Sequence, residues 1–70
     1  MIRFRLDKLL KARGMTAYRL SMESGIQQIV LSKYVHNQVR EISLETLNAL
    51  CAALRCQPGE LIEYLRDKKG

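Results

Sequence analysis

The sequence predicts an all-α domain of five short helices, with a possible short strand at the N-terminus. Two observations carry that prediction. Apolar residues recur at three- and four-residue spacing in successive segments, the period of one helix face. Those segments are separated by residues that end or open helices: Gly14, Gly25, Asn37 and the Pro58-Gly59 pair. At 70 residues the chain reads as a single domain spanning 1–70. A chain of this size buries only roughly 60% of its unfolded surface, so one core cluster is expected and an enclosed substrate cavity is not.

The elements follow in order. Ile2, Phe4 and Leu6 alternate with Arg3 and Arg5 at period two, a strand signal. Two readings stay open: an extended lead-in anchored by Phe4, or an edge strand that pairs with a second copy, because a lone strand leaves its backbone groups unpaired. Leu6, Leu9 and Leu10 then form a helical stripe opposite Lys8, Lys11 and Arg13, giving a first helix over about residues 5–13 that stops at Gly14. Thr16 is a good N-cap for a second helix reaching Gly25, which permits a left-handed turn. A third helix opens at Gln27 and reaches His36, where Asn37, tolerant of positive φ, ends it. Ser43 caps a fourth helix whose apolar stripe is Leu44, Leu47, Leu50, Cys51 and Leu54, with Glu45 at the positive end of the dipole. Pro58 opens a fifth helix with an inner face of Leu61, Ile62 and Leu65, and Lys68, Lys69 and Gly70 are expected to fray.

Composition narrows function. With 47% hydrophobic and 27% charged residues this is an ordinary globular domain. No apolar run approaches the ~20 residues that cross a bilayer, and Arg3, Arg5 and Asp7 interrupt any signal-peptide core, so a cytoplasmic protein without membrane contact is expected. Net charge is +5: residues 1–19 carry +5, residues 20–40 carry +1 and residues 41–70 carry −1. The positive field in the first half favours a polyanionic partner. Cys51 and Cys56 are too few for a disulfide framework or a structural zinc site; Cys51 is expected in the core and Cys56 as a partly exposed thiol. His36 lacks companions at metal-ligand spacing, and Glu23, Glu60 and Glu63 lack a partnered nucleophile. No enzyme activity, cofactor, metal or small-molecule ligand is expected.

The third helix carries the functional signal. At roughly 100° per residue, Gln28, Ile29, Ser32, Lys33 and His36 share an arc of about 140°, while Val30, Leu31 and Tyr34 face the other way. A helix of this length, 10 to 12 Å thick with side chains, matches a major groove about 12 Å wide. Gln can bond adenine N6 and N7 together, Lys can reach guanine O6 and N7, and Ile29 can lie against a thymine methyl. The preceding short helix, the brief turn after Gly25 and the basic first helix complete a helix-turn-helix arrangement.

Leu6, Leu10, Arg13-Gly14, Thr16, Leu20, Ser21, Gly25, Ile26, Leu31, Tyr34, Ser43-Leu44-Glu45-Thr46-Leu47, Leu54 and Pro58-Gly59-Glu60-Leu61 together resemble the Cro and phage-repressor type (XRE) helix-turn-helix family over nearly the whole chain. Ser21, Ala17 and Asn37 depart from its usual Ala, Gln and Gly. The resemblance implies a lambda-repressor-like fold and a transcriptional regulator binding double-stranded DNA. It implies base reading by Gln28, Ile29, Ser32 and Lys33, and phosphate contacts by Gln27, Asn37, Gln38 and Arg40. His36 is a further phosphate candidate, and Arg19 or Tyr18 stands in for the Gln missing at Ala17. A homodimer is expected because operators of this class are read by two copies about 34 Å apart; Ile2, Phe4, Ile62, Tyr64 and Leu65 are its candidate contacts. The competing readings are a protein-interaction module of antitoxin or anti-repressor kind, and an RNA-binding module, which would want an aromatic stacking platform this chain lacks.

Overall fold

Every expected helix forms, and one expected helical segment becomes a strand. The computed structural model describes residues 1–66, so the fraying expected at Lys68 to Gly70 lies outside the described residues. In chain order the elements are β1 (Ile2–Phe4), α1 (Leu6–Arg13), α2 (Ala17–Ser24), α3 (Gln28–Val35), α4 (Leu44–Leu54), α5 (Pro58–Leu61) and β2 (Ile62–Tyr64).

The helix ends are decided by local chemistry. Thr16 accepts the Arg19 N–H at 3.1 Å and Ser43 accepts the Thr46 N–H at 3.1 Å, each satisfying one orphan donor of a first turn. Gly14 and Gly25 take left-handed φ values of 61° and 78°. Asn37 does the same at 56°, with the Gln38 N–H folding back to the Lys33 carbonyl at 2.8 Å, so α3 ends in a Schellman turn without glycine.

Packing then draws one leucine or more from each helix into a single core. Leu6, Leu20, Leu31, Leu50, Leu54 and Leu61 are all at most 1% exposed. Burial of each stabilises the fold by about 1.5–3 kcal/mol relative to exposure. Phe4 joins them, its ring edge-on to Tyr34 with centroids 5.0 Å apart.

Three expectations need correction. The fifth helix ends at Leu61; Ile62 is extended (φ −122°, ψ 136°), and Ile62–Tyr64 pairs antiparallel with Ile2–Phe4 in the register Ile2 to Tyr64, Arg3 to Glu63 and Phe4 to Ile62. The fold is therefore helical with a two-stranded sheet, and Ile62, Tyr64 and Leu65 are not on a helix face. The N-terminal strand finds its partner inside its own chain, where the Arg5 N–H reaches the Leu61 carbonyl and the Leu65 N–H the Met1 carbonyl, both at 2.7 Å. Unpaired backbone groups drive that pairing, and β-branched Ile62 suits it. Second, Leu44 is 82% exposed instead of lying in the core. It sits about 120° around the helix from Leu50, at the first turn, on the open rim of a groove shared with Gln57 and Pro58. Third, the cysteines exchange environments: Cys56 is buried and Cys51 only half-buried. Cys56 follows the left-handed Arg55 that ends α4 and is folded inward, whereas Cys51 lies at the edge of the α4 stripe.

Candidate nucleic-acid interface

α2 and α3 are joined by Gly25, Ile26 and Gln27 alone. Gly25 ends α2 with its N–H on the Ser21 carbonyl at 2.9 Å, half-buried Ile26 packs against the core, and Gln27 in an extended conformation is the N-cap of α3. Leu20 and Leu31, both fully buried, pin the two helices to the core from either side of this turn.

The period of α3 divides its surface as the sequence predicts. Leu31 is 0% and Tyr34 5% exposed, Val30 is half-buried, and Gln28, Ile29, Ser32, Lys33 and His36 all face outward. Ile29 is 67% exposed, an apolar side chain held outside the core among polar neighbours. Lys33 has no ion-pair partner among the described residues, so its ammonium is uncommitted. Burial raises the Tyr34 phenol above its ordinary value, so the hydroxyl stays protonated under α3.

The expected phosphate contacts divide into free and engaged groups. Gln27, Gln38 and Arg40 are exposed, and Arg40 lies on the loop just past α3 with no ion-pair partner among the described residues. Arg19 is exposed and pairs with Glu23 one turn later, Nε to Oε2 at 2.8 Å. The His36 ring folds back, with Nδ1 2.9 Å from the Ser32 carbonyl.

Asn37 is spent on the fold. Its Oδ1 accepts the Phe4 N–H at 2.6 Å and its Nδ2 donates to the Phe4 carbonyl at 3.3 Å. The side-chain amide thus acts as a one-residue third strand on the outer edge of β1, tying the end of α3 to the sheet. Sequence reading identified the conformation of Asn37 and missed this role, since no local pattern links positions 33 residues apart. It also missed Arg13, which donates from Nε to the Leu54 carbonyl at 3.0 Å and lies 3.6 Å from Glu60, so that α1 caps the end of α4. No local pattern links these positions, 41 residues apart.

Among the described residues no cluster of three or more His, Cys, Asp or Glu is placed to hold a metal, and no helix is long and apolar enough to cross a membrane.

Two short helices joined at Gly25, the second presenting a polar rod about 12 Å long from an apolar seat, define a helix-turn-helix DNA-binding domain. The family model of the Cro/C1-type HTH DNA-binding domain matches residues 5–67, and the chain belongs to that family of DNA-binding transcriptional regulators. It is 40% identical over 63 residues to the uncharacterized HTH-type transcriptional regulator YozG of Bacillus subtilis (strain 168), covering 90% of this chain and 75% of that one. Its fold is shared with a Bacteroides fragilis protein known from a crystal structure, at a TM-score of 0.77 and 24% identity, over 90% of this chain and 100% of that chain.

Proposed function

We propose that the protein is a sequence-specific transcriptional regulator that places α3 in the major groove of its operator and binds as a homodimer. The observation that carries this is the outward row of Gln28, Ile29, Ser32 and Lys33 above a buried Leu31 and Tyr34. These side chains offer an amide, a methyl-contacting surface, a hydroxyl and an ammonium, the groups that read base edges in that groove. Gln27, Gln38 and Arg40 border the row and supply backbone anchoring, with Arg40 the main cation.

The dimer rests on the small contact area of a single module and the two-fold symmetry of operators read in this way. Phe4, 8% exposed inside the core, offers little surface to a second copy, and Ile62 and Leu65 are half-buried. Ile2 and Tyr64 remain: cross-strand partners, 60% and 69% exposed, overhanging the core at the free end of the sheet.

Selection from a pool of random duplexes at two salt concentrations tests the reading. Enrichment of one palindromic motif is the expected result. Uniform binding with a Kd near 10⁻⁴ to 10⁻⁶ M that disappears as salt rises would instead mark non-specific contact, and favour use of the scaffold for a protein partner.

A further inference from the structure

The two cysteines occupy a pair of positions that the end of α4 forces together. Arg55 adopts a left-handed φ of 53°, and the carbonyl of Cys51 accepts both the Arg55 N–H and, at 3.1 Å, the Cys56 N–H. In such a helix ending the side chains before and after the left-handed residue meet in what is usually an apolar contact. Here both are thiols, and Cys51 is close enough to perturb Cys56. The backbone hydrogen bond between the two residues holds them side by side, and a disulfide asks for Cα atoms ~4.4 to 6.8 Å apart. Both thiols also line an open groove of about 680 Å³ between α4 and α5, bounded by Leu44, Leu47, Gln57 and Pro58.

We propose that Cys51 and Cys56 form a peroxide-sensitive dithiol that closes to an intramolecular disulfide across the end of α4. Half-buried Cys51 reacts first. Its thiolate sulfur attacks one peroxide oxygen, the O–O bond breaks, and the departing hydroxide takes up the proton the thiol had released, so that a sulfenic acid and one water result. The Cys56 sulfur then attacks the sulfenyl sulfur of Cys51; the S–S bond forms, the S–O bond breaks, and hydroxide leaves with the proton of the Cys56 thiol as a second water. Two electrons pass from the thiol pair to one hydrogen peroxide, giving one disulfide and two waters. The order follows from burial, which together with the neighbouring Cys51 pushes the Cys56 thiol up to about 11 and keeps it a thiol until a sulfenyl sulfur is beside it. Arg13 and Glu60, paired with each other 3.6 Å apart, are the charged groups beside Cys56, and they oppose one another.

The full chain treated with hydrogen peroxide tests this by intact mass, free-thiol titration and thermal melting. The expected product is a monomeric chain lacking two hydrogens, with no titratable thiol, formed at a rate independent of protein concentration and melting above the reduced form. In the Cys56→Ser variant a sulfenic acid at Cys51 should be trapped by a dimedone-type reagent, while Cys51→Ser should react far more slowly. Two intact thiols after peroxide, chains cross-linked to each other, or an oxidised form that melts below the reduced one would each overturn the proposal. The groove that both cysteines line has no α3 residue in its walls, so none of these outcomes bears on DNA reading by Gln28 and Lys33.

Discussion

Asn37 holds two jobs whose physical requirements differ, and substitution separates them. Its backbone needs a left-handed conformation, which costs most residues roughly 1–2 kcal/mol and glycine nothing. Its amide needs to answer both backbone groups of Phe4, each worth about 0.5–1.5 kcal/mol. Asn37→Ala loses both and should destabilise by about 2–4 kcal/mol, whereas Asn37→Gly loses only the clip and should fall in between. Urea unfolding checks the order Asn, Gly, Ala; a glycine variant as stable as the parent would show that the amide clip contributes nothing. Cys56 sets a second expectation at this scale. Its folded value lies above its unfolded one, so folding retains a proton and the associated stability is fully present below about 9 and lost as pH rises through about 11. The Tyr34 phenol, also raised, adds in the same direction. Urea midpoints should therefore be flat through neutrality and drop in alkali, and Cys56→Ala should lessen the drop.

α3 is where local pattern and the proposed function coincide. Its two faces were legible in the sequence because an eight-residue helix has one period and one seat, and Leu31 and Tyr34 mark that seat. The outward side chains divide by reach: Gln28 and Lys33 project from the rod itself, whereas Arg40 follows on the loop beside it. Gln28→Ala and Lys33→Ala should each change base preference by about 1–3 kcal/mol at one operator position. Arg40→Ala should weaken all duplexes alike and reduce the salt slope by about 1. Binding to operator and mismatched duplexes over a salt series distinguishes them; equal losses on every duplex from the first two would move those residues off the base edges. At α5 the same style of reading overran, because Leu61, Ile62 and Leu65 fit a helix face while β1 offered Ile62–Tyr64 a ladder of hydrogen bonds that outweighed it.

Across the whole molecule, charge and the proposed two-fold pairing bear on the same binding surface. The first forty residues carry most of the positive charge in sequence, but in the fold Arg3 and Arg5 lie by Glu63, Arg13 by Glu60 and Arg19 by Glu23, whereas Lys33 on α3 and Arg40 beside it have no ion-pair partner among the described residues. Pairing of two copies through Ile2 and Tyr64 would extend that surface. Ile2→Lys with Tyr64→Lys should then abolish a dimer in sedimentation and weaken operator binding severalfold without altering helix content by circular dichroism. An unchanged sedimentation profile, with the parent dimeric, would place the interface elsewhere.

Helix limits at Gly14, Thr16, Gly25, Asn37 and Ser43, and the two faces of α3, were settled by residues acting on neighbours within a turn or two. Such effects are written in local order and need no partner. Contacts between distant segments decided the rest: the strand at Ile62–Tyr64, the amide of Asn37 on Phe4, the capping of α4 by Arg13, the exposure of Leu44 and the burial of Cys56 rather than Cys51. Each depends on which groups remain unpaired or uncovered once the helices have packed, a property of the assembled chain and of no segment alone.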